Sequence, residues 1–159
     1  MLDRLNRFLV ILAAVALFAV IAVTLFDIGI TLVTGRPYSG VYDIVQAFLA
    51  ASVFLALPVV FRDETNIQVN LIDGWMGPRA RAVNLLVARL ATLVFIVIVG
   101  WAEIRPFRDT LMFGDILYET GLKVWIIWIP ILAGTALSIL MVLTTFRRPA
   151  PQATGGSEA

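Results

Sequence analysis

Four long apolar runs constrain this chain more than any other feature. They are Phe8 to Phe26, Ile44 to Phe61, Val83 to Ala102 and Val124 to Phe146. A helix that crosses a hydrocarbon core of about 30 Å needs about 20 mostly apolar residues, and each run meets that need. Strands of a membrane barrel would alternate apolar and polar residues over about ten positions. These runs are apolar on every side. Composition agrees: 60% of the 159 residues are hydrophobic and 14% are charged, against about 25% charged in soluble domains. A small soluble fold leaves too much of its surface wet to hide so much apolar side chain. The sequence therefore predicts an all-α membrane protein with four transmembrane helices in one domain over residues 1–146. The spans fall at about 8–33, 41–61, 80–104 and 123–146.

Arg4 and Arg7 precede the first run, as basic residues precede a signal peptide. The run is longer than the apolar region of about 7–15 residues in such peptides, and no small-residue cleavage site follows closely. It reads as an uncleaved anchor. Four spans put both termini on one side. Seven basic residues lie there (Arg4, Arg7, Arg62, Arg79, Arg81, Arg147 and Arg148), against four on the other (Arg36, Arg105, Arg108 and Lys123). The positive-inside rule makes the first side cytoplasmic. Trp101, Trp125 and Trp128 then fall toward the outer boundary with Tyr38 and Tyr42, and Trp75 toward the inner one, as in an aromatic belt.

Between the second and third spans, Ile67, Leu71, Ile72, Trp75 and Met76 recur at helical spacing. Thr65 or Asn66 suits an N-cap, and Gly77-Pro78 suits the end of one helix and the start of the next. A short amphipathic helix over 65–76, lying in the cytoplasmic interface, is expected. An ordinary polar loop with some apolar residues is the alternative. The Pro-, Ala-, Gly- and Ser-rich tail 147–159 reads as a disordered cytoplasmic tail.

The chain has no Cys and no His. This removes disulfides, thiolate metal sites, the usual haem and zinc ligands and the commonest general base. No phosphate-binding G-x-x-x-x-G-K-[ST] motif occurs, and no basic stripe marks a nucleic-acid surface. An enzyme is not expected, nor a cofactor.

Ionisable residues in spans are costly and so are candidates for function. Arg89 lies about 10 Å into the third span at 1.5 Å per residue. Its guanidinium either snorkels to headgroup phosphates or bonds a partner helix. Trp75, Arg79 and Arg81 are further candidates for lipid or partner contact. Asp27, Asp43 and Glu103 fall near the outer ends of their helices, as hydrated carboxylates. Alternatively, Asp27 and Asp43 pair with Arg36 across the first hairpin. The stretch Arg105 to Lys123 mixes both signs and reads as a solvated loop, so Asp109, Asp115 and Glu119 are not taken as an acid–base pair. Ala47 with Ala51, and Gly134 with Ser138, are small residues four apart that let helices approach. Pro58 and Pro130 are places for kinks.

The order of features carries a resemblance. Arg36 lies in a short outer loop, Asp43 opens the second span and Arg62 closes it. The segment Asn66-Ile67-Gln68-Val69-Asn70 follows, and Glu119-Thr120-Gly121-Leu122-Lys123-Val124-Trp125 leads into Trp128-Ile129-Pro130. This pattern, over residues 4 to 146, resembles the small membrane subunit (DctQ type) of tripartite ATP-independent periplasmic (TRAP) transporters. Asn66, Asn70 and Asp43 stand where that family tends to have His, Asp and Glu. The resemblance implies a small permease subunit in the bacterial inner membrane. Its partners would be a large multi-span TRAP permease subunit, membrane lipid and a periplasmic substrate-binding protein that delivers an organic anion, such as a dicarboxylate or sugar acid. The small subunit would scaffold and anchor the large one, with no substrate site of its own. Its outer loops would help to dock the binding protein, through the candidates Arg36, Tyr38, Asp43 and Arg108. The alternatives are a self-sufficient four-span transporter and an assembly subunit of an unrelated membrane complex.

Overall fold

The computed structural model describes residues 2–62 and 78–146. Four helices account for most of them: α1 (Leu2–Thr34), α2 (Val41–Arg62), α3 (Pro78–Phe113) and α4 (Trp125–Thr145). Each contains a stretch long and apolar enough to cross a membrane. Among the described residues the only extended pairing is one antiparallel bridge between Ile116 and Lys123. The interfacial helix expected over 65–76, Trp75 within it, and the tail 147–159 lie outside the described residues.

Local chemistry sets the helix ends. Gly35 and Gly114 adopt φ of +69° and +67° just past α1 and α3. Their N–H groups bond back to Thr31 O (2.9 Å) and Thr110 O (3.1 Å). A residue with no Cβ can take this left-handed turn and satisfy a carbonyl that the helix leaves over. Pro78 opens α3, where a missing N–H costs nothing.

The helices pack in a row: α1 against α2, α2 against α4, and α4 against α3. On α3 the buried residues are Arg89, Ile96, Glu103 and Thr110, spaced by seven. On α4 they form three such rows: Ile127, Gly134 and Met141; Thr135 and Val142; Ser138 and Thr145. A seven-residue repeat keeps a narrow seam facing the neighbouring helix. The inner helix α4 needs several rows because it has a neighbour on both sides.

Gly134 shows how closely α2 and α4 approach. A Cβ there would overlap the carbonyl oxygen of Phe54 and stand 2.5 Å from its carbon and 3.0 Å from Phe54 Cβ. Four residues after Phe54 stands Pro58, buried in α2. Proline has no N–H to give to that carbonyl, and the bare Cα of Gly134 lies over it. The small pair Gly134 and Ser138 thus marks a real helix contact, with the Ser138 hydroxyl bonded to Gly134 O at 2.8 Å.

One expectation is corrected here. The stretch from Arg105 is not loop throughout, because α3 continues to Phe113. Thr110 extends the buried row one repeat past Glu103, so this charged segment keeps packing and stays helical until Gly114. Pro106 is accommodated inside the helix.

Candidate functional site

Two polar assemblies stand out. The first lies at the end of the bundle that carries the α1–α2 and α3–α4 connections, the hairpin end. After Gly114 the chain forms a tight turn. Leu117 N–H donates to Leu122 O (2.7 Å), Gly121 N–H to Leu117 O (2.9 Å) and Val124 N–H to Asp115 O (2.9 Å). The turn aims Glu119 and Thr120 at the start of α2. Asp43 Oδ2 accepts from Thr120 N–H (2.8 Å), Thr120 Oγ1 (3.0 Å) and Glu119 N–H (3.0 Å). In return, Gly40 N–H donates to Glu119 Oε2 at 2.7 Å. Each acid caps the other's segment. Both also place negative charge at the N-terminus of α2, where the helix dipole favours it. Gly40 leaves room for this: a Cβ there would meet Thr120 Cγ2 at 3.0 Å.

This latch corrects the reading of Asp43. The residue is 4% exposed, with one oxygen holding three donors, so it is neither a hydrated boundary carboxylate nor a surface contact. Nor do Asp27 and Asp43 pair with Arg36. Asp27 Oδ1 accepts the Tyr38 N–H at 2.9 Å, which fixes the α1–α2 connection from within. Arg36 and Tyr38 are exposed on that connection, and Arg108 is exposed on α3. Asp109 and Asp115 are exposed as well. Glu119, whose carboxylate bonds Gly40, forms no acid–base pair with them.

The second assembly lies in the α3–α4 seam. Thr135 Oγ1 donates to Glu103 Oε1 at 3.0 Å. Glu103 is 8% exposed, and its Oε2 has no hydrogen-bond partner. Gly100 lets the helices close at this level, its absent Cβ lying 3.3 Å from Thr135 Cγ2 and 3.7 Å from Ile139 Cδ1. Thr135 is the middle residue of α4 (Trp125–Thr145). Glu103 is therefore level with the centre of α4 and well inside α3, not near the outer end of its own helix as the sequence suggested. Arg89 is 8% exposed on the same row, with its Nε buried. Arg79 and Arg81 lie in the first turns of α3.

Sequence reasoning missed Glu119 and Thr120 as partners of Asp43, since no local period links residues 76 and 77 apart. It missed the depth of Glu103 for a different reason. The apolar run was taken to end at Ala102, whereas the seven-residue row through Arg89, Ile96 and Glu103 was available as a signal. Among the described residues, no three His, Cys, Asp or Glu converge as metal ligands would.

No curated protein and no solved structure matches this chain. The family model described as "Tripartite ATP-independent periplasmic transporters, DctQ component" matches residues 20–152. That match takes in the second half of α1 from residue 20, all of α2, α3 and α4, and both parts of the latch. The chain thus belongs to the DctQ family and is a small permease subunit of a TRAP transporter.

Proposed function

We propose that this subunit scaffolds and anchors the large permease subunit for ion-coupled uptake of organic anions, delivered by a periplasmic binding protein. The family works with both partners. What supports a scaffolding role here is where the polar groups go. Asp27, Asp43 and Glu119 each hold backbone donors, and Thr135 bonds Glu103 across the seam. These contacts fasten helices and connections to one another and, among the described residues, leave no row of free polar groups for a solute to follow. The outward faces of α1 and of α3 as far as Trp101 are largely apolar and exposed, as suits contact with lipid or with another membrane subunit.

In this reading both termini are cytoplasmic, in a bacterial inner membrane. The hairpin end then faces the periplasm, with Arg36, Tyr38 and Arg108 available to the binding protein. Trp75, Arg79 and Arg81 belong to the cytoplasmic boundary, as lipid or partner contacts. The substrate site is on the other chains. One observation favours a self-sufficient small transporter instead: the unpartnered Glu103 Oε2 level with the middle of α4.

Reconstitution in liposomes separates the two readings. The chain alone is expected to give no uptake of organic anions. The chain with its large subunit and loaded binding protein is expected to give uptake that needs an ion gradient. Uptake by the chain alone would sink the scaffold reading.

A further inference from the structure

We infer that the face of α3 turned away from α4, centred on Trp101 and Arg105, is the surface that meets the large permease subunit. The inference rests on the scaffold reading above and adds which side of the chain is covered. The buried row of Ile96, Glu103 and Thr110 fixes the inward side of α3. At about 100° per residue, Val94, Ile98, Trp101 and Arg105 lie on the opposite side. All four are exposed, Trp101 by 78%.

Depth makes this face unusual. Glu103 and Gly100 are level with Thr135 and Ile139 of α4. The uncharged run around α4 is bounded by Lys123 and Arg147. At 1.5 Å per residue, α4 is about 32 Å long, close to the thickness of the hydrocarbon core. Trp101 is thus near mid-height, not toward the outer boundary as the sequence suggested, and Arg105 is about 12 Å short of the nearer end of α4. A guanidinium facing lipid there is costly. Snorkelling gives little relief, because helical side chains tilt toward the N-terminus. For Arg105 that direction leads toward the middle of α4. Among the described residues Arg105 makes no ion pair, either with Asp109 one turn on or with any other acid.

A protein surface resolves this where lipid does not. Carboxylate or backbone carbonyl oxygens on the large subunit would take the Arg105 N–H groups, and an apolar pocket would take the indole. Tryptophan and arginine are the side chains that most often dominate such contacts. Arg108, one turn nearer the end, remains within reach of the rim.

The test uses the small and large subunits expressed together and purified in detergent through a tag on the small one. The double substitution Trp101→Ala with Arg105→Glu is expected to lower the recovered large subunit at least about tenfold. The control Phe18→Ala, on the outward face of α1, is expected to leave recovery unchanged. A photo-reactive phenylalanine analogue in place of Trp101, which leaves the fold intact, is expected to cross-link the large subunit. The same analogue in place of Phe18 is expected not to. Full recovery with Trp101→Ala and Arg105→Glu, or cross-linking at position 101 to lipid alone, overturns the surface while leaving the scaffold reading in place. Failure of the unaltered chain to bring down the large subunit overturns both.

Discussion

Asp43 and Gly134 act on the fold in opposite ways, one by filling a site and the other by leaving it empty. Asp43 satisfies three donors on a segment far along the chain. Removing a buried charged acceptor leaves those donors unmet, at a cost of about 2 kcal/mol. Asp43→Ala is expected to lower the Tm of the detergent-solubilised protein by several degrees, and Thr120→Val by less, because two backbone donors remain. Gly134→Ala is expected to destabilise by about 1–3 kcal/mol through overpacking against Phe54. Gly29→Ala, where nothing lies within 4 Å, is expected to be neutral or mildly stabilising. Denaturant titration in micelles distinguishes the two. At this scale the sequence told only half. It showed Asp43 opening a helix and Gly134 among small residues, because both are local facts. The partners Thr120 and Phe54 were invisible, since contact between distant segments leaves no periodic trace.

At the scale of elements, α3 departs furthest from its sequence-based bounds. Hydropathy ended the third span near residue 104, because Glu103, Arg105, Arg108 and Asp109 interrupt the apolar run. Helix formation follows backbone hydrogen bonding and packing, and these continue to Gly114. Amide exchange is the natural check: Leu111 to Phe113 are expected to exchange more slowly than Asp115 and Ile116. The Glu103–Thr135 bond also belongs to this scale, since it fastens α3 to α4. Thr135→Val alone takes away the donor that Glu103 has, and is expected to cost about 1–3 kcal/mol. Combined with Glu103→Leu, the cost is expected to fall, because a buried polar pair replaced by apolar groups is often neutral. A double-mutant cycle in thermal unfolding would expose that non-additivity. Equal, additive costs would mean that the two side chains do not depend on each other.

For the whole molecule, the number and apolarity of the helices were legible, as was the placement of both connections at one end. The lateral order was not, because four helices that are apolar on every side can be assembled in more than one sequence of neighbours. The structure selects α1, α2, α4, α3. The chain has no Cys of its own, so paired substitutions can test the order without background. Leu9→Cys with Leu55→Cys joins α1 to α2 within one apolar cluster and is expected to form an oxidant-dependent cross-link. Leu9→Cys with Ile96→Cys pairs the two outer helices and is expected to form none, as judged by gel mobility.

The latch also has a bearing on how the protein is made. Asp43 enters the membrane with the second helix, but its donors lie 76 and 77 residues later. Until the ribosome has delivered the turn before α4, that carboxylate faces the hairpin end with no partner. A nascent or truncated chain that ends before residue 119 therefore leaves this carboxylate without the donors it has in the finished one. The closed latch is a local record that the chain has been delivered as far as the turn after α3, with that turn at the same end of the bundle as the start of α2.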